Sequence, residues 1–256
     1  MKYFLLLLCS VMVLASCDNT EEGVINIKEY YFPIDNLIDG GDIYEFRAIV
    51  NNKTIAGQND TLLPEYFKYE YFPNDTAKML ITTQFDQFCR QTAIYRDEVV
   101  SNGVLQVGMR LMSYDSLKSA VPKIVDATVE KPNVFLFEVK DSSQFVYQSS
   151  WKNPLDETDE YTIARKRKYI GKTTHLYNGK TYDAVEFEII DRITARSPTQ
   201  GDFHNDFSKI ERYAKGLGLV YFTIPNGESS IRYELSDVFK MERFIEKCNT
   251  MFFNDY

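Results

Sequence analysis

One stretch decides the fold class of this chain: residues 177–193, which read YNGKTYDAVEFEIIDRI. Asn178-Gly179 is the dipeptide most typical of a two-residue β-hairpin turn, because both residues tolerate positive φ. After Tyr182, apolar residues alternate with polar ones, which is the period of a strand that buries one face. This stretch therefore predicts a β-hairpin.

The same pattern recurs along most of the chain. Further strands are predicted at 42–50, 64–72, 79–85, 89–100, 103–114, 134–139, 145–151, 161–170, 209–213, 217–224 and 231–235, with a helical turn or two within 116–125. Gly216 and Gly218 predict the bend of the last hairpin, since glycine adopts positive φ without strain. Residues 238–253 carry apolar side chains at helical spacing. We therefore predict a mainly β fold, a large antiparallel curved sheet or open β-barrel built from hairpins, with a short C-terminal helix.

The first residues predict export and lipid anchoring. Lys2, a short apolar run and the small residues Ala15 and Ser16 follow one another in the order of a signal peptide, residues 1–16. Leu14-Ala15-Ser16-Cys17 resembles the bacterial lipobox, in which the cysteine is acylated and becomes the first residue of the mature protein. The apolar run is too short for a transmembrane anchor, which needs roughly 20 residues. We expect lipidation at Cys17, a flexible tether over 17–28 and attachment to a membrane through that lipid.

Residues 29–256 are expected to form a single β-rich envelope domain, with two hairpin-rich halves, 36–140 and 145–235, as the alternative organisation. The whole chain has a net charge of −8. An acidic protein lacks the basic surface that binds nucleic acid, so no nucleic-acid partner is expected. We expect the protein in the cell envelope at the outer membrane, facing the periplasm or the cell surface.

Two cysteines are left for this domain, Cys89 and Cys248, once Cys9 leaves with the signal peptide and Cys17 is lipidated. In an exported protein the two can form a lasting disulfide. They can also be two buried thiols, because free cysteine packs like a small apolar residue. A core of this size does not need a disulfide, which favours the thiols and leaves the disulfide as the alternative.

Residues 209–222, KIERYAKGLGLVYF, contain a Tyr-Ala-Lys-Gly-x-Gly-Leu-Val hairpin that follows the strand at 177–185. This pair of segments resembles uncharacterised envelope lipoproteins of the Bacteroidota type. It is similar to periplasmic lipoprotein-carrier-like β domains, in which a large antiparallel sheet curls into an open barrel. The resemblance implies a fold and a compartment, and it supplies no catalytic residues.

Three Asp-Ser/Thr-apolar tripeptides resemble the O-glycosylation site of Bacteroidota. They are Asp60-Thr61-Leu62, Asp75-Thr76-Ala77 and Asp115-Ser116-Leu117. The resemblance implies modification at Thr61, Thr76 and Ser116.

Residues that could carry chemistry are few. The chain has two histidines, His175 and His204, and no spacing typical of a metal site or a hydrolase triad. Asp202, His204 and Asp206 could ligate a cation, but a solvated, mobile loop over 197–207 is the favoured interpretation. We therefore expect no metal, no cofactor and no enzyme activity, although carboxylate pairs assembled in space stay open.

Two strands carry side chains of one kind on both faces. The basic charges of Arg165-Lys166-Arg167-Lys168 alternate between the two faces of one predicted strand. For this basic segment, a solvated edge of the sheet is favoured over a ligand-binding patch. Residues 66–72 place tyrosine and phenylalanine on both faces. A strand covered on both sides is favoured there over an exposed aromatic platform.

Three functions compete on these observations. The first is a non-catalytic binding module whose concave face holds a small hydrophobic molecule, a glycan or a peptide, because large hollow β folds leave room inside. The second is a structural or accessory subunit that binds another envelope protein in an outer-membrane complex. The third, ranked last, is a hydrolase with spatially assembled carboxylates.

Overall fold

The computed structural model describes residues 23–51, 59–61, 64–74, 76–115, 121–154, 156–226 and 229–253. In this part of the chain there are fifteen strands and one α-helix. The strands are β1 (Ile25–Asn26), β2 (Asp42–Asn51), β3 (Asn59–Thr61), β4 (Glu65–Pro73), β5 (Lys78–Phe85), β6 (Gln91–Val100), β7 (Gly103–Ser113), β8 (Lys123–Leu136), β9 (Glu138–Val139), β10 (Gln144–Lys152), β11 (Glu160–Tyr177), β12 (Lys180–Ser197), β13 (Gly201–Ala214), β14 (Gly218–Asn226) and β15 (Ser229–Phe239). The helix α1 spans Met241–Phe253, and two 3₁₀ turns lie at Lys28–Tyr30 and Ile34–Leu37.

The large sheet closes on itself. Neighbouring strands pair antiparallel in the order β15-β14-β13-β12-β11-β10-β8-β7-β6-β5-β4-β2, and β2 pairs with β15 to complete the ring. Strand β3 lies beyond β4 along the same edge of β2, pairing with Ile49–Asn51 while β4 pairs with Asp42–Phe46. The result is a twelve-stranded antiparallel barrel with a short C-terminal helix, which confirms the predicted fold class. Strands from both halves of the chain belong to this one barrel.

The N-terminal segment closes one end of the barrel. Residues 25–37, here called the plug, contain Ile27 and Leu37, which have no exposed surface. Tyr31 lies with its ring centroid 4.9 Å from that of Phe135, in an aromatic core shared by most of the strands. The predicted tether at 17–28 is therefore too long, because residues 25–28 belong to the folded domain. Its first residues, including Cys17, lie outside the described residues.

Helix α1 covers the outside of the barrel. Phe244 packs its ring 5.0 Å from Tyr66 and 4.7 Å from Phe85, centroid to centroid. Cys248 on the helix and Cys89 in the β5–β6 turn form a disulfide, with their Cα atoms 5.9 Å apart. The structure thus contains the disulfide, and the favoured prediction of two buried thiols is wrong. Within the described residues, no helix combines the length and apolar character required to cross a membrane.

Two predicted segments differ from the structure. Residues 197–207, interpreted as a mobile loop, form the end of β12, a tight turn and the start of β13. Asp202, His204 and Asp206 share one face, while Phe203 and Phe207 share the other with the polar Asn205. The high polar content of this segment therefore obscures the alternation of a strand. The helical turn proposed for 116–125 is wrong at its C-terminal end, because Lys123–Val125 belong to β8.

The bend between β13 and β14 holds the plug in place, and this yields a prediction. Gly216 and Gly218 have φ of +75° and +85°. A Cβ on Gly218 would lie 2.4 Å from Cδ1 of Phe32 in the plug, whereas a Cβ on Gly216 would meet nothing within 4 Å. We expect Gly218→Ala to lower the free energy of unfolding by about 2–3 kcal/mol, since both the left-handed backbone and the crowded ring cost energy. Urea denaturation measures this effect.

Gly216→Ala is the matched control for that variant. It has the same backbone strain without the clash, so about 1–2 kcal/mol is expected. Equal losses for the two variants would show that Phe32 does not rest against Gly218.

Candidate functional site

Strands β10 to β13 carry a continuous inner surface at the end of the barrel opposite the plug. Inward-facing residues of these strands are paired across the sheet, so they form rows. The outermost row consists of Trp151, Tyr161, Ala195 and Phe203. The second row consists of Ser149, Ile163, Ile193 and Asn205. The third row consists of Tyr147, Arg165, Asp191 and Phe207. We call the aliphatic and aromatic side chains of these three rows that are not fully buried the mouth: Trp151, Tyr161, Ile163, Ile193, Ala195, Phe203 and Phe207.

The mouth is accessible, unlike the plugged end. Phe203 is 65% exposed, and the other side chains of the mouth are partly buried. Trp151 and Tyr161 stack with their ring centroids 6.0 Å apart and their planes 20° apart. Among the described residues, the side chains of the mouth lie outside both hydrophobic clusters of the protein. An apolar inner surface of this kind is typical of a binding site and not of a packed core.

Beneath the mouth lies a layer of buried charges, here called the ionic layer: Arg165, Arg167, Asp191, Lys209 and Glu211. Arg165 donates from Nε and Nη2 to the two carboxylate oxygens of Asp191, at 2.7 and 2.8 Å. Arg167 donates to Oε2 of Glu211 at 3.1 and 3.3 Å and to the carbonyl of Val134 at 2.8 Å.

Lys209 links the two ion pairs of this layer. Its Nζ lies 3.5 Å from Oδ2 of Asp191 and 3.6 Å from Oε1 of Glu211. Buried charges of this kind are tolerated only when they are paired, because desolvation of each ion is costly. The layer therefore keeps a rigid polar floor beneath an apolar surface.

The ion pairs shift the pKa values of their members. Burial by itself raises the pKa of Glu211, but Arg167 and Lys209 outweigh it and hold that pKa at about 2. Burial acts against Asp191 in the same way, and its hydrogen bonds from Arg165 nevertheless lower its pKa. Burial, with Arg165 close by, lowers the pKa of Lys209. Both carboxylates are consequently ionised at neutral pH.

Asp97 faces the same interior from β6 without such support. It is 8% exposed, and in the described part of the protein its Oδ1 has no hydrogen-bond partner. Burial raises the pKa of Asp97 to about 7, and the positive charge of Arg167 only partly opposes this shift. Asp97 thus changes charge near neutral pH, unlike Asp191 and Glu211.

Sequence reasoning missed the ionic layer. The sequence pattern favours a solvated edge for Arg165 and Arg167, but in the structure both point into the barrel, whereas Lys166 and Lys168 face outward. The signal lay in the neighbours: Arg165 and Arg167 alternate in phase with apolar Ile163 and Tyr169 on one face of β11.

The aromatic strand at 66–72 has its inner face in the core, but its outer face is covered by α1 only at Tyr66. Phe67, Tyr69 and Tyr71 belong to the interior and Tyr66 lies beneath α1, while Phe72 remains 46% exposed.

The other predicted sites are dispersed. His204 is exposed on β13, and Asp206 pairs with Arg192 at 2.6 Å. Among the described residues, no three His, Cys, Asp or Glu side chains are placed to hold a metal ion. Thr76 is exposed in the β4–β5 turn and Thr61 lies in β3, whereas Ser116 falls outside the described residues. Glycosylation of these three residues stays a prediction.

Two clefts lie away from the mouth. One, of about 790 Å³, opens between the plug and the turns joining β4 to β5 and β6 to β7. Charges of both signs, including Lys28, Glu29 and Glu98, line it. The other, of about 460 Å³, lies between Tyr66 and the face of α1 that carries Arg243, Lys247 and Thr250. Neither continues the inward-facing apolar rows, so the mouth remains the candidate site.

Several solved structures match this chain in a comparison with known proteins. No protein-family model and no curated protein matches its sequence. A proposed exported protein of Bacteroides fragilis with a YmcC-like fold has a TM-score of 0.49 at 10% identity, over 82% of this chain and 99% of its own. A proposed lipoprotein of Parabacteroides distasonis has a TM-score of 0.46 at 10% identity, over 82% and 97%. The hypothetical lipoprotein YmcC of Escherichia coli has a TM-score of 0.30 at 11% identity, over 81% and 92%.

Proposed function

We propose that this protein is a lipid-anchored envelope protein and a non-catalytic binding module that holds a small apolar molecule in the mouth of its barrel. The observation that carries the proposal is the set of inward-facing apolar rows left partly exposed at the end opposite the plug. Contact with a ligand would remove this surface from water, at about 25 cal/mol per Å² of apolar area. The rigid barrel holds these side chains in place before the ligand arrives.

The composition of the mouth favours an apolar ligand over a glycan or a peptide. Ile163 and Ile193 lie side by side in the second row and offer no hydrogen bond to a sugar hydroxyl or to a peptide backbone. Polar ligand groups buried there without partners would lose affinity. The aromatic side chains of the outermost row continue the apolar surface that the two isoleucines form.

The position of the proposed lipid anchor implies how the mouth is oriented relative to the membrane. The first described residues, from Gly23 onward, lead into the plug, so a tether from Cys17 would reach the barrel at the plugged end. The mouth would then face away from the membrane that holds the lipid. A ligand or a second envelope protein would be met on the far side of the barrel.

The test uses the chain with Cys17→Ser, exported to a periplasm, so that acyl groups of its own anchor cannot occupy the mouth. Native mass spectrometry is expected to show extra mass that disappears on denaturation. In addition, N-phenyl-1-naphthylamine, an uncharged apolar dye, is expected to bind and to be displaced by extracts of the envelope.

Trp151→Ala should weaken binding of this dye by about tenfold, because a large aromatic surface leaves the site. Leu176→Ala is the matched control, since Leu176 is 68% exposed near the plugged end. Fluorescence titration measures both affinities. A Trp151→Ala protein that binds the dye as well as wild type would contradict the proposal.

The alternative is an accessory subunit that docks another protein on the mouth, and the 65% exposure of Phe203 is what favours it. A photo-crosslinker at position 203 in living cells distinguishes the two. A single crosslinked envelope protein together with absent dye binding would support the accessory role.

A further inference from the structure

The ionic layer contains one more cation than carboxylates. Arg165, Arg167 and Lys209 face Asp191 and Glu211, and all five side chains are buried or nearly so. Two further carboxyls face the interior, Asp97 and Glu65. Neither has an ion pair among the described residues, and burial raises the pKa of each, which favours its neutral form. The floor of the mouth therefore has a surplus of positive charge in surroundings of low dielectric constant, where such a surplus attracts an anion strongly.

The surplus is directed toward the mouth. The side chain of Arg165 is 22% exposed, whereas that of its partner Asp191 is 1% exposed. Arg165 uses Nε and Nη2 for Asp191, so Nη1 takes no part in that pair. Lys209 reaches its two carboxylates at 3.5 and 3.6 Å, longer than the 2.7–2.9 Å typical of charge-assisted hydrogen bonds. Both cations can thus donate to a further acceptor.

We infer that the ligand of the mouth is an amphiphile with one anionic head group, a carboxylate or a phosphate, that accepts hydrogen bonds from Arg165 and Lys209. Its apolar chain then lies along the rows that contain Ile163, Ile193 and Phe203. This inference rests on the proposed function and adds the chemical class of the ligand. Order along the barrel supports it, because the apolar rows come first from the open end and the cations come next.

The experiment compares ligands that share one chain and differ in the head group. Dodecanoate, dodecyl phosphate and dodecanol each displace N-phenyl-1-naphthylamine from the Cys17→Ser protein below their aggregation concentrations. We expect dodecanoate or dodecyl phosphate to bind about tenfold more tightly than dodecanol, as hydrogen bonds to charged groups imply. Which of the two anions binds better distinguishes a carboxylate ligand from a phosphate ligand.

Two variants test the residues. Lys209→Met keeps the Arg165–Asp191 pair, and the double variant Arg165→Met/Asp191→Leu removes both partners, so that neither leaves a lone charge buried. Each should reduce the preference for the anion to about twofold or less while dye binding is retained. Lys168 lies on the outer face of β11, the strand that contains Arg165, so Lys168→Met should leave the preference for the anion unchanged.

The outcomes separate the two proposals. Dye binding with equal affinity for dodecanol and both anions overturns the anionic head group and leaves the proposed function standing. A preference that survives in both variants also overturns the assignment to Arg165 and Lys209. No dye binding at all overturns the proposed function and this inference together.

Discussion

Arg167→Met is expected to lower the free energy of unfolding by about 3–5 kcal/mol, the usual effect of removing one partner from a buried ion pair. Arg167 is 7% exposed, and its loss leaves the carboxylate of Glu211 with only the hydroxyl of Tyr213 and the more distant Lys209. The carbonyl of Val134 loses its donor as well. Chemical denaturation at neutral pH measures the loss.

Two further variants make this result specific. Arg167→Met/Glu211→Gln removes the lone charge and keeps an acceptor for Tyr213, so it should recover at least half of the lost stability. Arg110→Met breaks an exposed ion pair of similar geometry, with Arg110 at 2.8 and 3.0 Å from Asp126. It should leave the unfolding midpoint within error of wild type, because solvent screens that pair. A loss after Arg167→Met no greater than after Arg110→Met would show that the ionic layer is not buried.

Asp97→Asn is expected to stabilise the protein at pH 8 by as much as about 4 kcal/mol and to have little effect at pH 4. Burial raises the pKa of Asp97 to about 7, whereas an aspartate in the unfolded chain titrates near 3.8. Between these two values the folded protein keeps a proton that the unfolded chain has released. The free energy of unfolding therefore falls as pH rises from about 4 to 7, by about 1.4 kcal/mol per unit.

The measurement is a urea denaturation series from pH 4 to pH 8 on both proteins, read as the difference between them. Taking this difference cancels the contributions of other titrating groups to the pH dependence of stability. One such group is His175, whose pKa is lowered by burial and by Arg212. Asp206→Asn is the control: the hydrogen bonds from Arg192 lower the pKa of Asp206, opposite to the shift at Asp97, so this variant should not remove the fall in stability between pH 4 and pH 7. Parallel curves for wild type and Asp97→Asn would contradict the shifted pKa of Asp97.

Much of the local structure could be predicted from residue patterns. The turn at Asn178-Gly179 has φ of +49° and +74°, and β11 and β12 pair across it from Tyr177 and Lys180 onward. These features depend on neighbours in sequence, namely on the turn residues and on the alternation after them. Local hydrogen bonding and side-chain alternation act within a few residues, so a single sequence contains them.

The candidate site could not be predicted in this way. Trp151, Tyr161 and Phe203 come together through strand register across β10 to β13. Phe203 also lies in a stretch whose composition favoured a loop. The local sequence does not predict that these side chains share one row, because the register between strands depends on pairing across the whole sheet.

By itself the sequence determined that the chain is mainly β, where several of its hairpins turn and that a helix follows the last strand. Only the tertiary structure decided that β2 meets β15 to close the barrel, that residues 25–37 fill one end and that Arg165 and Arg167 point inward. The physical reason is that apolar neighbours indicate which face of β11 turns inward, but charges on that face are buried only once closure has defined an interior. Closure joins β2 and β15, which lie 191 residues apart at Ser236 and Glu45. It encloses Arg165 and Arg167, whose charges are tolerated there because β12 and β13 supply their ion-pair partners.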